Sequence, residues 1–249
     1  ISLLTKGMPK KFCERFAITH FFNPVRFMRL LELVRGEFTR EDVINTLDMF
    51  SETMLGKGVV SCSDTPGFLA NRVGVFAIQC ALYKAFKYKL SPTEADAFFG
   101  RPLGLPKTGV FGLYDLIGID LMADVVKSLV SILPENDAFH KYSSPIEFMT
   151  AMIANGQTGN KNEKGFYKQA GDERQVIDLS NGNYDTHERL KTPLLEEAEK
   201  IGISVILNDK SPYGLYIWEV VSETLCYAAS LVPEVTEDLT KIDDAMKLG

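Results

Sequence analysis

Short apolar runs of strand length dominate the first 63 residues. Residues 17–22 (AITHFF) predict a buried strand, because they are apolar, rich in aromatic residues and closely followed by a proline. Residues 27–35 (FMRLLELVR) fit a helical stripe and a strand about equally well, and residues 59–62 (VVSC) predict a further strand. With a helix before this last strand, the order of elements is typical of the last part of an α/β domain.

Three helix starts carry capping signals. Thr39 is followed three residues later by Asp42, and Ser91 by Glu94 with a proline between them, so each pair predicts a capping box. A third helix is expected to begin near Thr65, because the proline that follows suits the first helical turn.

Beyond this point the apolar residues recur at helical spacing. Up to Tyr167 the pattern predicts helices only. Residues 166–186 are richer in turn residues, and VIDL followed by Asn181-Gly182 predicts a small hairpin. Helices are expected again afterwards, and the final segment (TEDLTKIDDAMKLG) loosely repeats residues 93–104. We therefore expect a mainly α fold, divided into residues 1–63, 64–168 and 169–249.

The composition narrows the function classes. The formal net charge of -6 and the pI near 5.2 argue against a nucleic-acid surface. No stretch reaches the roughly 18 consecutive apolar residues that span a bilayer. The cysteines have no metal-ligand spacing, so no metal site is expected. Cys80 and Cys226 are expected to be buried free thiols, which indicates a reducing, cytoplasmic compartment.

His20 is the first candidate for chemistry, although a lone histidine in an apolar strand is more often structural. Glu32 changes that balance, because a carboxylate that faces a core needs a partner. If the two segments are neighbouring strands, the turn between them could bring Glu32 beside His20. The carboxylate would then fix the imidazole tautomer and leave the other ring nitrogen to act as a general base. Alternatively, Glu32 faces water on a helix.

Asn71 is a second candidate. It lies in the first turns of the helix expected from Thr65, where a polar donor could stabilise a developing negative charge. Equally, Asn71 and Arg72 could form the solvent face of that helix. No G-x-G-x-x-G or G-x-x-x-x-G-K-[ST] motif occurs in the chain. The Gly- and Lys-rich residues 156–167 are better explained as a loop than as a phosphate site.

Several segments, in order along the chain, resemble the 3-hydroxyacyl-CoA dehydrogenases of fatty-acid β-oxidation. THFFNPVRFMRLLELVRG and SCSDTPGFLANRV are similar to the core signature of that family. GRPLGLPKTGVFGLYDLIGID and GNKNEKGFY are similar to its C-terminal helical domain. The closing segment resembles the second helical repeat of longer members, which are often fused to an enoyl-CoA hydratase.

The resemblance implies an enzyme, an oxidoreductase that uses NAD to oxidise (3S)-3-hydroxyacyl-CoA to 3-oxoacyl-CoA. It implies that His20 is the catalytic base and that Glu32, on a strand, orients it. It implies that Asn71 contacts the reacting groups of the substrate and that Asn23 lies close to the nicotinamide and the substrate. An acyl-CoA partner is implied as well, and a homodimer through the helical domain is allowed.

The sequence also departs from the family. The family begins with a Rossmann domain whose glycine-rich turn binds the NAD pyrophosphate, and no such turn is found here. We therefore expect residues 1–63 to be a C-terminal remnant of a Rossmann-type α/β domain, with the main NAD-binding segment absent. The chain would then be a fragment of a multifunctional protein. Two alternatives stay open. In this truncated form the chain could be a catalytically inert helical module for assembly or acyl-CoA contact, or the protein could be a dehydrogenase of short 3-hydroxy acids.

Overall fold

The computed structural model describes all 249 residues, Ile1–Gly249. Its helices are α1 (Ser2–Thr5), α2 (Lys10–Cys13), α3 (Glu41–Thr53), α4 (Ala70–Lys87), α5 (Pro92–Phe98), α6 (Gly109–Ile117), α7 (Ile119–Ile132), α8 (Glu147–Ala154), α9 (Pro193–Ile201), α10 (Ser204–Asn208), α11 (Pro212–Ser230) and α12 (Leu239–Leu248). Its strands are β1 (Ala17–Phe21), β2 (Leu30–Arg35), β3 (Gly58–Cys62), β4 (Tyr167–Ala170), β5 (Glu173–Ile177) and β6 (Tyr184–Thr186). Short 3-10 helices cover Arg101–Leu103, Ala138–Tyr142 and Asn160–Asn162. With 53% of the residues helical, the prediction of a mainly α fold is confirmed.

The chain forms two compact units. One consists of Ile1–Val75 together with Leu225–Gly249, and the other of Phe76–Thr224. The three-part division expected from the sequence stays a prediction, because the compact units of a structure do not have to coincide with its sequence-defined domains.

In the first unit, β2 is the central strand of a three-stranded sheet. β1 pairs with it in antiparallel fashion and β3 in parallel fashion. A central strand is buried on both faces, which explains the nearly continuous apolar run LLELV. Leu30, Leu31, Leu33 and Val34 are at most 1% exposed. The segment that the apolar pattern left ambiguous is therefore a strand over Leu30–Arg35.

The start of β3 depends on a glycine. A Cβ atom on Gly58 would lie 2.5 Å from Cδ1 of Leu248, which belongs to α12. Helix α12 packs against β2 and β3, so a side chain at position 58 would require the Leu248 side chain to move.

The second unit contains an antiparallel sheet of β4, β5 and β6. Asn181-Gly182 lies in the connection between β5 and β6, so the predicted hairpin is confirmed, and β4 extends it to three strands. A glycine is the natural residue in this connection because Gly182 has a φ of 78°.

Two buried aspartates cross-link the second unit. Asp96 accepts hydrogen bonds from the backbone N–H of Phe111 (2.7 Å) and the hydroxyl of Tyr167 (2.9 Å). Asp115 accepts one from the backbone N–H of Phe166 (2.8 Å). Burial raises the pKa of Asp96 to about 7 and that of Asp115 to about 6, although the hydrogen bonds act in the opposite direction.

Of the two predicted capping boxes, the one at Ser91 is confirmed and the one at Thr39 is wrong. Ser91 and Glu94 form both reciprocal hydrogen bonds of the box. The Thr39 hydroxyl instead accepts a bond from the Gly36 N–H and donates one to the Phe16 carbonyl. It thus closes a turn after β2, and α3 starts without a side-chain cap.

Two further expectations are wrong. The helix expected from Thr65 begins only at Ala70, because Gly67 and Phe68 adopt left-handed backbone angles (φ 76° and 51°) that a right-handed helix does not contain. Cys226 is exposed rather than buried.

No helix of the structure combines the length and the apolar character needed to cross a membrane. No group of three or more His, Cys, Asp or Glu side chains is arranged to hold a metal ion.

Candidate active site

His20 and Glu32 face each other across two strands. They are register partners in the antiparallel pair β1–β2, and Nδ1 of His20 lies 2.7 Å from Oε2 of Glu32. Glu32 is fully buried on a strand, so the alternative of a solvent-facing glutamate on a helix is wrong. The predicted pairing is confirmed, and its cause is the register, which places cross-strand partners about 5 Å apart at Cβ.

The second oxygen of Glu32 binds the start of α4. Oε1 accepts hydrogen bonds from the backbone N–H groups of Leu69 (2.9 Å) and Ala70 (2.7 Å). The first N–H groups of a helix have no partner within the helix, and a carboxylate is a favourable acceptor for them. Glu32 is therefore a helix cap as well as the partner of His20. Sequence reasoning missed this role because it placed the helix start five residues too early.

These contacts assign the imidazole tautomer. A carboxylate can only accept hydrogen bonds, so His20 carries its proton on Nδ1 and donates it to Glu32. Nε2 then has a free lone pair, and the hydrogen bonds of the chain leave this nitrogen without a partner. The His20 side chain is 31% exposed, so its free edge is accessible while its partner is buried. Such a nitrogen can take a proton from a ligand.

Two aromatic rings flank the imidazole. The ring centroid of Phe22 lies 4.8 Å from that of His20, in an edge-on arrangement, and the ring centroid of Phe68 lies 5.5 Å away. Together with Glu32 they restrict the imidazole from three directions.

The structure does not bring the two predicted asparagines into hydrogen-bonding contact with this pair. Asn71 lies in the first turn of α4, half-buried, two residues after Leu69. Asn23 is exposed and follows the end of β1 by two residues. Neither side chain forms a hydrogen bond with His20 or Glu32, so their predicted roles stay predictions.

Two sequence families match this chain. The model described as the 3-hydroxyacyl-CoA dehydrogenase NAD-binding domain matches residues 1–65, and that described as the 3-hydroxyacyl-CoA dehydrogenase C-terminal domain matches residues 67–169. The chain belongs to the 3-hydroxyacyl-CoA dehydrogenase family. The dyad of His20 and Glu32 lies within the first match, and Asn71 within the second.

Relatives align over almost the whole chain. A protein from Rickettsia prowazekii, named as a fatty acid oxidation complex trifunctional enzyme, is 38% identical over 99% of this chain and 34% of its own length. A protein from Bacillus subtilis, named as a 3-hydroxyacyl-CoA dehydrogenase, is 32% identical over 99% of this chain and 32% of its own length. The chain thus spans about a third of the length of these relatives.

The fold agrees with this family. The crystal structure of 3-hydroxybutyryl-CoA dehydrogenase from Escherichia coli aligns with 95% of this chain and 61% of its own, with a TM-score of 0.65 and 22% sequence identity. At that identity the likeness shows the fold alone.

The match of residues 1–65 corrects one expectation. We expected the main NAD-binding segment to be absent and the α/β part to be only a remnant, yet this region matches the NAD-binding domain of the 3-hydroxyacyl-CoA dehydrogenase family. The expectation relied on the missing glycine-rich turn, which is only one part of such a domain. The sheet of β1, β2 and β3, which carries the dyad, belongs to the matched region.

Cys62 lies near the dyad but cannot serve as a nucleophile. Burial, with the negative charge of Glu32 as the second cause, raises the pKa of the Cys62 thiol to about 12. A thiol needs to ionise to attack, so Cys62 stays inert at neutral pH.

Arg72 holds the start of α4 in place, a role that the sequence did not indicate. It was considered part of a solvent face, yet its side chain is fully buried. Nε donates to the hydroxyl of Tyr227 (2.9 Å), and Nη1 lies 3.7 Å from a carboxylate oxygen of Glu234. Arg72 thus anchors the first turn of α4, whose N–H groups hold Glu32.

Proposed function

We propose that the protein of which this chain is part oxidises (3S)-3-hydroxyacyl-CoA to 3-oxoacyl-CoA with NAD, and that His20 is its general base. The observation that carries the proposal is the 2.7 Å contact between Nδ1 of His20 and the fully buried Glu32. A buried carboxylate that accepts hydrogen bonds from two backbone N–H groups and one imidazole is the arrangement expected for an oriented base.

In this proposal, Nε2 of His20 takes the proton of the 3-hydroxyl group as C3 loses its hydride. The imidazole becomes a cation, and its Nδ1–H remains bonded to Glu32. A positive charge next to a buried carboxylate is stabilised more strongly than in water, because the local dielectric constant is low. Glu32 does not need to accept the proton, and its bonds to Leu69 and Ala70 keep it in place.

The side chains at this site fit the reacting end of NAD. Oxidation of an alcohol needs a proton acceptor and a hydride acceptor. His20 can provide the first, but imidazole, carboxylate and amide groups cannot accept a hydride. When bound, the nicotinamide of NAD supplies that hydride acceptor. We propose that Asn23, exposed just beyond β1, holds the nicotinamide and substrate, and that Asn71 contacts the reacting groups of the substrate.

We further propose the following organisation, supported by the bounds of the two family matches. Residues 1–63 belong to the NAD-binding domain, residues 64–168 to the helical C-terminal domain, and residues 169–249 to a hairpin linker with part of a second helical repeat. The whole protein would act in the cytoplasm on acyl-CoA substrates, and could dimerise through the helical domain. The name of the Rickettsia relative, a fatty acid oxidation complex trifunctional enzyme, supports a multifunctional protein.

The test is His20→Gln in the whole protein, with NADH formation from 3-hydroxyacyl-CoA as the assay. We expect kcat to fall by about 10²- to 10⁴-fold, the usual contribution of a general base, with an unchanged circular dichroism spectrum. His140→Gln is the matched control, because His140 is a half-buried histidine on a 3-10 helix of the second unit. Near-normal turnover of His20→Gln would contradict the assignment.

The same assay decides between the alternatives. NADH formation by the purified 249-residue chain would rule out the inert assembly module, whereas no detectable NAD binding by that chain would support it. Higher rates on short 3-hydroxy acids than on long acyl-CoA substrates would favour the short-chain dehydrogenase.

A further inference from the structure

Phe68 holds an unfavourable backbone conformation beside the dyad. Its φ is 51°, and that of the preceding Gly67 is 76°. Glycine adopts the left-handed region freely, whereas a bulky side chain rarely does, so Phe68 is a genuine outlier. Glycine would satisfy the backbone at position 68 without strain. The aromatic ring must therefore contribute something that offsets the strain.

The ring contacts the imidazole of His20. The two ring centroids are 5.5 Å apart, at an interplanar angle of 58°. Phe22 contacts the same imidazole at 4.8 Å, and Glu32 binds its Nδ1. With these three contacts, rotation of the imidazole requires the movement of an aromatic ring or the loss of a hydrogen bond to a buried carboxylate.

The same turn leads directly to the backbone N–H groups that donate hydrogen bonds to Glu32. The Phe68 N–H is bonded to the Thr65 carbonyl (3.0 Å), which fixes the turn. The next two N–H groups, of Leu69 and Ala70, both donate to Oε1 of Glu32. The left-handed turn thus ends where these donors begin, and Phe68 is linked to both members of the dyad.

We propose that Phe68 is a positioning residue for the base. Its ring fixes the orientation of the His20 imidazole and covers the hydrogen bond between Nδ1 and Glu32, so that the lone pair of Nε2 stays directed towards the ligand. The functional half of this proposal rests on the function proposed above, and the structural half does not.

The deciding variant is Phe68→Gly, which removes the ring and permits the left-handed backbone. Phe68→Tyr keeps the ring and should rescue the function. Lys89→Gly is the matched control, because Lys89 is an exposed residue with nearly the same φ (54°) and lies in the second unit, whereas the dyad belongs to the first. Activity is measured on the whole protein, and the Nδ1–H proton of His20 is observed by NMR in the 249-residue chain.

We expect kcat of Phe68→Gly to fall by about ten- to a hundredfold, because a small misplacement of a catalytic group has an effect of this size. KM should change less than kcat. The midpoint of thermal unfolding should not fall, since strain is relieved, which separates positioning from a general structural role. The Nδ1–H signal should broaden through faster exchange with water, and should persist in Phe68→Tyr and Lys89→Gly.

An unchanged Nδ1–H signal in Phe68→Gly would overturn the proposal outright. A lost signal with unchanged kcat would overturn its functional half. If the wild-type protein has no dehydrogenase activity, the proposed function fails, but the NMR comparison still decides whether Phe68 positions His20.

Discussion

Glu32→Gln is the sharpest perturbation of the dyad, because it changes one atom of a fully buried side chain. The carboxylate accepts from three donors: Nδ1–H of His20 on one oxygen, and the N–H groups of Leu69 and Ala70 on the other. An amide has a single accepting oxygen and an NH₂ group that only donates. The glutamine side chain can therefore direct its oxygen either to His20 or to the N–H groups of Leu69 and Ala70, but not to both.

The cost of leaving buried donors without an acceptor favours one of these two orientations. If the amide oxygen faces His20, two buried backbone N–H groups meet an NH₂ group. Each such unsatisfied donor costs about 1–3 kcal/mol, or about 2–6 kcal/mol together. If the oxygen faces Leu69 and Ala70, both donors keep their acceptor, and the NH₂ group faces Nδ1 of His20. The imidazole only needs to move its proton from Nδ1 to Nε2, so this second orientation is favoured.

The favoured orientation removes the base. With the proton on Nε2, His20 has no lone pair for the substrate hydroxyl. We expect kcat of the whole protein to fall by about 10²- to 10⁴-fold. The loss of unfolding free energy should be only about 1–2 kcal/mol, because α4 keeps its cap and only the charge assistance is lost.

The assay combines NADH formation with urea unfolding and with ¹⁵N NMR of the His20 ring. The ¹⁵N shifts should show the proton on Nδ1 in the wild-type chain and on Nε2 in the variant. Glu37→Gln, the same change at an exposed glutamate in the same unit, is the control and should alter neither property. A proton that stayed on Nδ1 in Glu32→Gln, together with near-normal kcat, would contradict the predicted orientation of the amide.

Two further predictions concern the second unit, and both are checked by urea unfolding as a function of pH. Burial raises the pKa of Asp96 from 3.8 to about 7, so between these pH values the folded state binds a proton that the unfolded state has released. The free energy of unfolding should therefore fall as pH rises from about 4 to 7. Asp96→Asn should flatten this pH dependence. A slope that stays the same in the variant would disprove the assignment. Lys84 is buried and bonded to Glu219 and Glu223. Burial acts to raise the pKa of each glutamate, but hydrogen bonds from Lys84 and Lys87 to Glu219, and from Lys141 and Lys84 to Glu223, outweigh it and lower each pKa to about 2. Their stabilisation is present above pH 4.5 and is lost as pH falls towards 2, so Lys84→Met should lose about 2 kcal/mol at pH 7 and show a weaker acid dependence. An equal loss at pH 2 and pH 7 would speak against this ion-pair cluster.

Features set by neighbouring residues were predictable from the sequence. The capping box of Ser91 and Glu94 formed as predicted, because both partners lie within one helical turn. The hairpin with Asn181-Gly182 formed because a left-handed φ at Gly182 is a local preference. The strand that carries His20 followed from its own apolar residues.

The arrangement of the site depends on contacts between residues that are distant in the sequence. Glu32 could have faced water on a helix or lain in a core, and the sheet register with β1 and β3 turned it inward. The N–H group of Ala70, at the start of helix α4, donates to a carboxylate 38 residues earlier in the chain. No pattern in the sequence around α4 predicts such a distant partner. The sequence alone therefore determined which residues could do the chemistry, while long-range hydrogen bonds and burial decided which of them could do it together.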